Sequence, residues 1–236
     1  MTEFEWWTFD DVATMAAQVA EDVGFIIERA VDANGKAELC ISGGTTPAPI
    51  LAALAANGDI DWSKVSITPT DERLVRADDP LSNHRSIASV LAAKGAVVNP
   101  LFDQSHDWTA LEAGRSADAR LAQLSWPIDL TWLGMGEDGH TASIFPSVMN
   151  AALDVPRGRR AVGVEPEPLP ANAPVARVTL TKPALLDAHT LIVVITGEAK
   201  KAALERAIAD GPSSTLPIGR VLADAEVPVD IYWAAE

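Results

Sequence analysis

The sequence contains a single cysteine, Cys40, so no disulfide can form within the chain and no cysteine cage can hold a structural zinc. The fold has to be held by its core. Long apolar runs are missing as well: no stretch approaches the roughly 20 residues that a membrane-spanning helix needs. Residues 1–11 carry acids and tryptophans where a secretory signal would open with basic residues, so a cytosolic, membrane-free protein is expected. Positive charge is scarce. Eighteen Lys and Arg stand against 33 Asp and Glu, a net charge of −15, which argues against a partner bound through nucleic-acid phosphates. The four histidines, His84, His106, His140 and His189, show no HExxH or related spacing, and no metal is expected. There is no GxSxG elbow for a serine hydrolase and no internal repeat.

What is present is enough to build one sizeable core. The 236 residues are 48% hydrophobic and 22% charged, and a single domain over residues 1–236 is expected. Val12, Met15, Val19, Val23, Ile26, Ile27 and Ala30 fall on one helical face that Asn34 and Gly35 end, and Trp6 and Trp7 are placed to pack on that helix. Apolar runs at residues 37–42, 65–68, 128–133, 161–164, 178–181, 191–195 and 229–233 read as strands. Helices fill most of the gaps, among them one capped by Ser82 and one over residues 198–208. This alternation predicts an α/β fold, a mostly parallel sheet with helices on both faces. Residues 156–174 hold five prolines and read as a surface excursion.

Ligands of open parallel sheets bind beyond the carboxyl ends of the strands, so the loops there are where chemistry is expected. The first is Ser42-Gly43-Gly44-Thr45-Thr46-Pro47, whose free amides and following helix suit a phosphate, although it lacks the GxxxxGK[ST] of a P-loop. The second, residues 134–143, contains a literal GxGxxG. Pro146 interrupts any helix after it, and the next acid, Asp154, precedes a Pro- and Arg-rich stretch, which disfavours a dinucleotide. These glycines instead surround His140, with Asp138 two residues earlier and Asp71 in a third loop. A neutral imidazole, of pKa near ~6.5, can take a proton from water, and a neighbouring carboxylate fixes its tautomer. Arg177 and Lys200 fall near strand ends, with Arg73 a further cation. Local positive charge of this kind is what an anionic substrate needs, because distant carboxylates are screened beyond about 8 Å. Cys40, inside an apolar run, reads as a packed thiol.

Five motifs together resemble the 6-phosphogluconolactonases, a family of the sugar-phosphate isomerase and deaminase superfamily: SGGTTP (42–47), DERLV (71–75) with Ser82 and Asn83, GMGEDGHTASIFP (134–146), RVTLT (177–181) and TGEAK (196–200). The resemblance implies a Rossmann-like α/β fold and hydrolysis of 6-phospho-D-glucono-1,5-lactone to 6-phosphogluconate in the oxidative pentose phosphate pathway, without metal or organic cofactor. It implies His140 as the base that deprotonates water, and Asp138 or Asp71 as the group orienting it. Ser42, Gly43, Gly44, Thr45, Arg177 and Lys200, with Arg73, would hold the phosphate, and the loop carrying Gly136 would offer amides to the oxyanion. The chain would work on a small molecule as a monomer or homodimer.

Two alternatives share this fold. Glucosamine-6-phosphate deaminases carry a ring-opening glutamate after their histidine, where this chain has Phe145, and phenylalanine transfers no proton. Non-catalytic sugar-phosphate sensors add a DNA-binding segment, for which the acidic N-terminus leaves little room. His84 is given no role.

Overall fold

The computed structural model describes residues 2–44 and 46–235. In chain order the first half contains β1 (Phe4–Phe9), α1 (Val12–Asn34), β2 (Ala37–Ile41), α2 (Pro47–Ala56), β3 (Val65–Pro69), β4 (Asp71–Arg73), α3 (Asn83–Leu91), β5 (Val97–Val98) and α4 (Ala110–Leu121). The second half contains β6 (Ile128–Leu133), α5 (Asn150–Leu153), β7 (Ala161–Val164), β8 (Arg177–Leu180), α6 (Lys182–Leu186), β9 (Ala188–Thr196), α7 (Glu198–Asp210), α8 (Pro217–Leu222) and β10 (Val229–Ala234).

Seven strands form a parallel sheet in the order β1-β10-β9-β6-β2-β3-β5. Side chains alternate between its faces, so a strand buried on both sides must be apolar throughout. β9 shows this: Leu191, Val193 and Ile195 enter one core with α4, α7 and α8, while Ile192 and Val194 enter the other with α1, α2 and α3. Local chemistry sets the helix ends. Asp11 accepts from the Thr14 amide at 2.7 Å to start α1, and Gly35 stops it at φ 75°.

The expected parallel sheet is present, with β1, β4 and β5 as additional strands and two of the expected strands placed elsewhere. β1 is a strand that the sequence pattern does not mark: it pairs parallel with β10, and Trp6 packs into the core on the face away from α1. Trp7 stacks on Tyr232 at 6.2 Å. Trp6 therefore does not join the hydrophobic face of α1, whereas Trp7 lies on the α1 side of the sheet, on the tyrosine that packs there. The runs at 161–164 and 178–181 also leave the main sheet. As β7 and β8 they form a small antiparallel sheet with β4, in the order β4-β8-β7. β7 lies tight on α4, where a Cβ on Gly163 would fall 1.7 Å from the Ala110 carbonyl oxygen and one on Gly114 would fall 2.2 Å from the Gly163 nitrogen.

β2 and β6 are neighbours, but the chain leaves them in opposite directions, β2 towards β3 and β6 towards β9. This is a topological switch point, where two outgoing loops diverge and leave a crevice. The loops are the one after Ile41 and the one after Leu133.

Candidate active site

At that switch point lies a cleft of about 530 Å³. The Ser42 hydroxyl closes its floor, donating to the Trp132 carbonyl at 3.1 Å and accepting from the Gly134 amide at 3.0 Å. The Ser42 amide is also used, donating to the Trp132 carbonyl at 3.1 Å. Ser42 therefore fastens the strand ends together, and neither of its donors is left for a phosphate. α2 opens with Pro47 and also carries Pro49, neither of which has an N–H, so fewer helix-end amides face the cleft than the loop pattern suggested. Gly43 and Gly44 remain on the cleft wall with Thr46. Thr45 lies outside the described residues.

The loop after β6 folds on itself: the Gly136 amide donates to the His140 carbonyl at 2.9 Å, and the Gly139 amide to the Gly136 carbonyl at 3.0 Å. The Gly136 N–H is thus not available to an oxyanion. Its contribution is the missing side chain, because a Cβ there would fall 2.1 Å from His140 Cε1. No helix follows directly, since the next one, α5, begins only at Asn150, which a dinucleotide fingerprint does not allow.

His140 Nδ1 lies 2.5 Å from Asp138 Oδ1, and the His140 amide donates to the same oxygen at 3.1 Å. Burial raises the Asp138 carboxyl, but the hydrogen bonds and charge of His140 outweigh it and hold it below the usual aspartate range. An ionised carboxylate can only accept, so Nδ1 carries a ring proton, and in the neutral imidazole the lone pair is therefore on Nε2. The imidazole packs on Phe145 at 4.3 Å, and its side chain remains 31% exposed at the cleft wall.

Asp71 also lines the cleft, yet it is engaged elsewhere. It accepts from the Ser143 hydroxyl at 2.5 Å and the Asn83 carboxamide at 3.2 Å. Of the two carboxylates, Asp138 is the one hydrogen-bonded to the imidazole.

Arg73, Arg177 and Lys200 reach the same cleft. Among the described residues none of the three forms an ion pair. Arg177 is only 3% exposed; its guanidinium donates to the Ala173 carbonyl at 2.9 Å and the Val175 carbonyl at 3.2 Å, and sits 5.7 Å over the Phe145 ring. Burial lowers its pKa, Asp71 opposes this and Arg73 adds to it. Ala173 and Val175 flank the end of the proline-rich excursion, which also supplies Pro170 and Asn172 to the wall. Sequence reasoning missed these residues, along with Trp132, because long-range packing alone brings them here.

Among the described residues, no three His, Cys, Asp or Glu side chains are grouped as a metal site would need. Cys40 is buried in β2, and burial pushes its thiol up to about 12.

The sequence matches the glucosamine-6-phosphate isomerase and 6-phosphogluconolactonase family over residues 10–233. The chain belongs to this family. A 6-phosphogluconolactonase of Rhizobium meliloti is 38% identical, the match covering 96% of this chain and 97% of that protein. One of Mesorhizobium japonicum is 40% identical, covering 98% and 95%. The crystal structure of a 6-phosphogluconolactonase from Shewanella baltica superposes with a TM-score of 0.87 at 35% identity, covering 100% of this chain and 98% of that one. The family's sheet, with its crevice between β2 and β6, is thus the scaffold on which His140 and the three cations stand. No helix among the described residues is long and apolar enough to cross a membrane.

Proposed function

We propose that this cleft hydrolyses 6-phospho-D-glucono-1,5-lactone to 6-phospho-D-gluconate, with His140 as general base. One observation carries the reading: an imidazole held through Nδ1 by Asp138 shares a cleft with Arg73, Arg177 and Lys200, none of which forms an ion pair among the described residues. Nε2 takes a proton from water, and the resulting hydroxide adds to the lactone carbonyl carbon. The tetrahedral intermediate collapses by breaking the bond to the ring oxygen, and the imidazolium returns its proton to that oxygen. Asp138 supports the transient cation. Arg73, Arg177 and Lys200, with the Gly43 and Gly44 amides, hold the phosphate at the far end, and that binding orients the reacting carbon. Asp71 fixes the loop that follows His140 through Ser143. The substrate is a small molecule, the site lies in one domain, and the setting is the cytoplasm, where this pathway's sugar phosphates are found.

Phe145 separates this reading from deamination, since the group against the imidazole has no proton to give. The deciding experiment sets a coupled lactonase assay with fresh lactone against ammonia release from glucosamine 6-phosphate. Acceleration of lactone loss by the wild type, abolished in His140→Ala with circular dichroism unchanged, is expected. Ammonia release, or full turnover by His140→Ala, would reject the reading.

A further inference from the structure

Glu72 lies between two cleft residues in β4. Strand alternation sends Asp71 and Arg73 to the cleft side and Glu72 to the other, where it is fully buried. Its carboxylate there accepts four hydrogen bonds. Oε1 takes the Arg73 amide at 2.8 Å and the Asn83 amide at 2.7 Å; Oε2 takes the Ser82 hydroxyl at 2.9 Å and the His84 amide at 2.8 Å. Asn83 and His84 are the first two residues of α3, whose N–H groups have no partner within the helix. The third, from Arg85, goes to the Ser82 hydroxyl at 3.1 Å. Burial raises the Glu72 carboxyl above the usual range, against those four donors, so the site has been built around an acid at some cost.

What the acid holds is the cleft wall. The Asn83 carboxamide donates to both the carbonyl and the side chain of Asp71, and Asp71 in turn takes the Ser143 hydroxyl, three residues past His140. The Arg73 guanidinium donates to the Leu81 carbonyl at 2.5 Å, in the segment that Glu72 fastens through Ser82. Gly43 rests on Asn83 so closely that a Cβ would fall 2.2 Å from its Oδ1.

We infer that Glu72 is a positioning residue for the reaction: by tying β4 to the first turn of α3 it sets Arg73 and, through Asn83 and Asp71, the loop that carries His140. A carboxylate is required because all four neighbours are donors. A glutamine would turn an NH2 towards N–H groups, and an aspartate would fall short by one methylene while keeping the charge.

The inference rests on the lactonase reading, and the experiment keeps the two apart. Glu72→Gln, Glu72→Asp, Arg73→Ala and the double variant Glu72→Gln/Arg73→Ala are assayed for kcat and KM at a temperature where each is folded by circular dichroism. Glu72→Gln is expected to lose about tenfold or more in kcat/KM, Glu72→Asp to recover part of it, and the double variant to lose less than the two single losses combined, because the part of the Glu72 effect that runs through Arg73 is already gone in Arg73→Ala. Should Glu72→Gln not fold, Glu72→Asp takes its place in the same cycle. A lower Tm with wild-type kcat and KM, or losses that add fully in the double variant, would overturn the inference. A wild type without lactonase activity would instead reject the reading on which it stands.

Discussion

Arg73 and Arg177 are directly opposite one another in the antiparallel pairing of β4 with β8, and both line the cleft. Like charges facing across a strand pair repel, and no carboxylate forms an ion pair with either among the described residues. A dianion entering the cleft relieves that repulsion. Inorganic phosphate or 6-phosphogluconate should therefore raise the Tm of the wild type beyond what chloride of equal ionic strength does, and the rise should vanish in Arg73→Ala. A rise that persists in the variant would place the anion elsewhere.

Lys200 is the cation whose removal disturbs the fold least, since it stands in the first turn of α7 and is only partly buried. Lys200→Ala should raise KM for the phosphorylated lactone about tenfold, with kcat changed far less, because the proposed reading places it at the end that does not react. Steady-state kinetics decide this, and an unchanged KM would remove Lys200 from the phosphate site.

Asp138→Asn removes the charge that supports the imidazolium and puts an NH2 donor beside Nδ1, which favours the other His140 tautomer. The expected loss is on the order of 10²-fold or more in kcat, with the fold intact. The same pair gives a pH signature. The folded-state pKa of Asp138 lies below its ordinary value of 3.8, so its contribution to stability is present above that value and fades as pH falls through the lower, folded-state one. Urea titrations should show the wild type more stable than Asp138→Asn at neutral pH, with the gap narrowing below about pH 4. The side chain is half exposed, so the gap should be modest.

Gly136→Ala tests the close approach of backbone to imidazole. A Cβ at that position occupies the space of the ring, so His140 must move. The variant should fold, with its thermal transition kept, and lose most of its kcat. A Gly136→Ala enzyme with wild-type turnover would show that the ring has freedom the structure does not display.

Cys40 should be inert. With its thiol pushed up to about 12 and fully buried, it should resist Ellman's reagent at pH 8 in the native protein and react at once in denaturant. Rapid native labelling would contradict its place in β2.

Much of this was legible in the chain. The parallel strands announced themselves because residues buried on both sides must be apolar throughout, as at 128–133 and 191–195. His140 and Asp138 could be paired because two residues of separation in a glycine-rich turn leave few other arrangements. β4 was hidden because its three residues, Asp71, Glu72 and Arg73, are all charged, and their burial depends on partners far along the chain. β1 was hidden by its edge position, where one side chain in two faces solvent. The prolines of the excursion read as surface, yet its end anchors Arg177 through two carbonyl oxygens, which no side-chain pattern encodes.

The seam between α4 and β7 gives the cleft a dependency on its far side. Gly114 and Gly163 let helix backbone and strand backbone nearly touch, and β7 is the neighbour that holds β8, and with it Arg177, in register. A methyl group added at either glycine would act as a wedge: it would pry the small sheet outward and shift the arginine paired with Val164, the residue after Gly163. Catalytic power in this molecule can thus be lost from outside the cleft, by changing a spacing and leaving every reacting group in place.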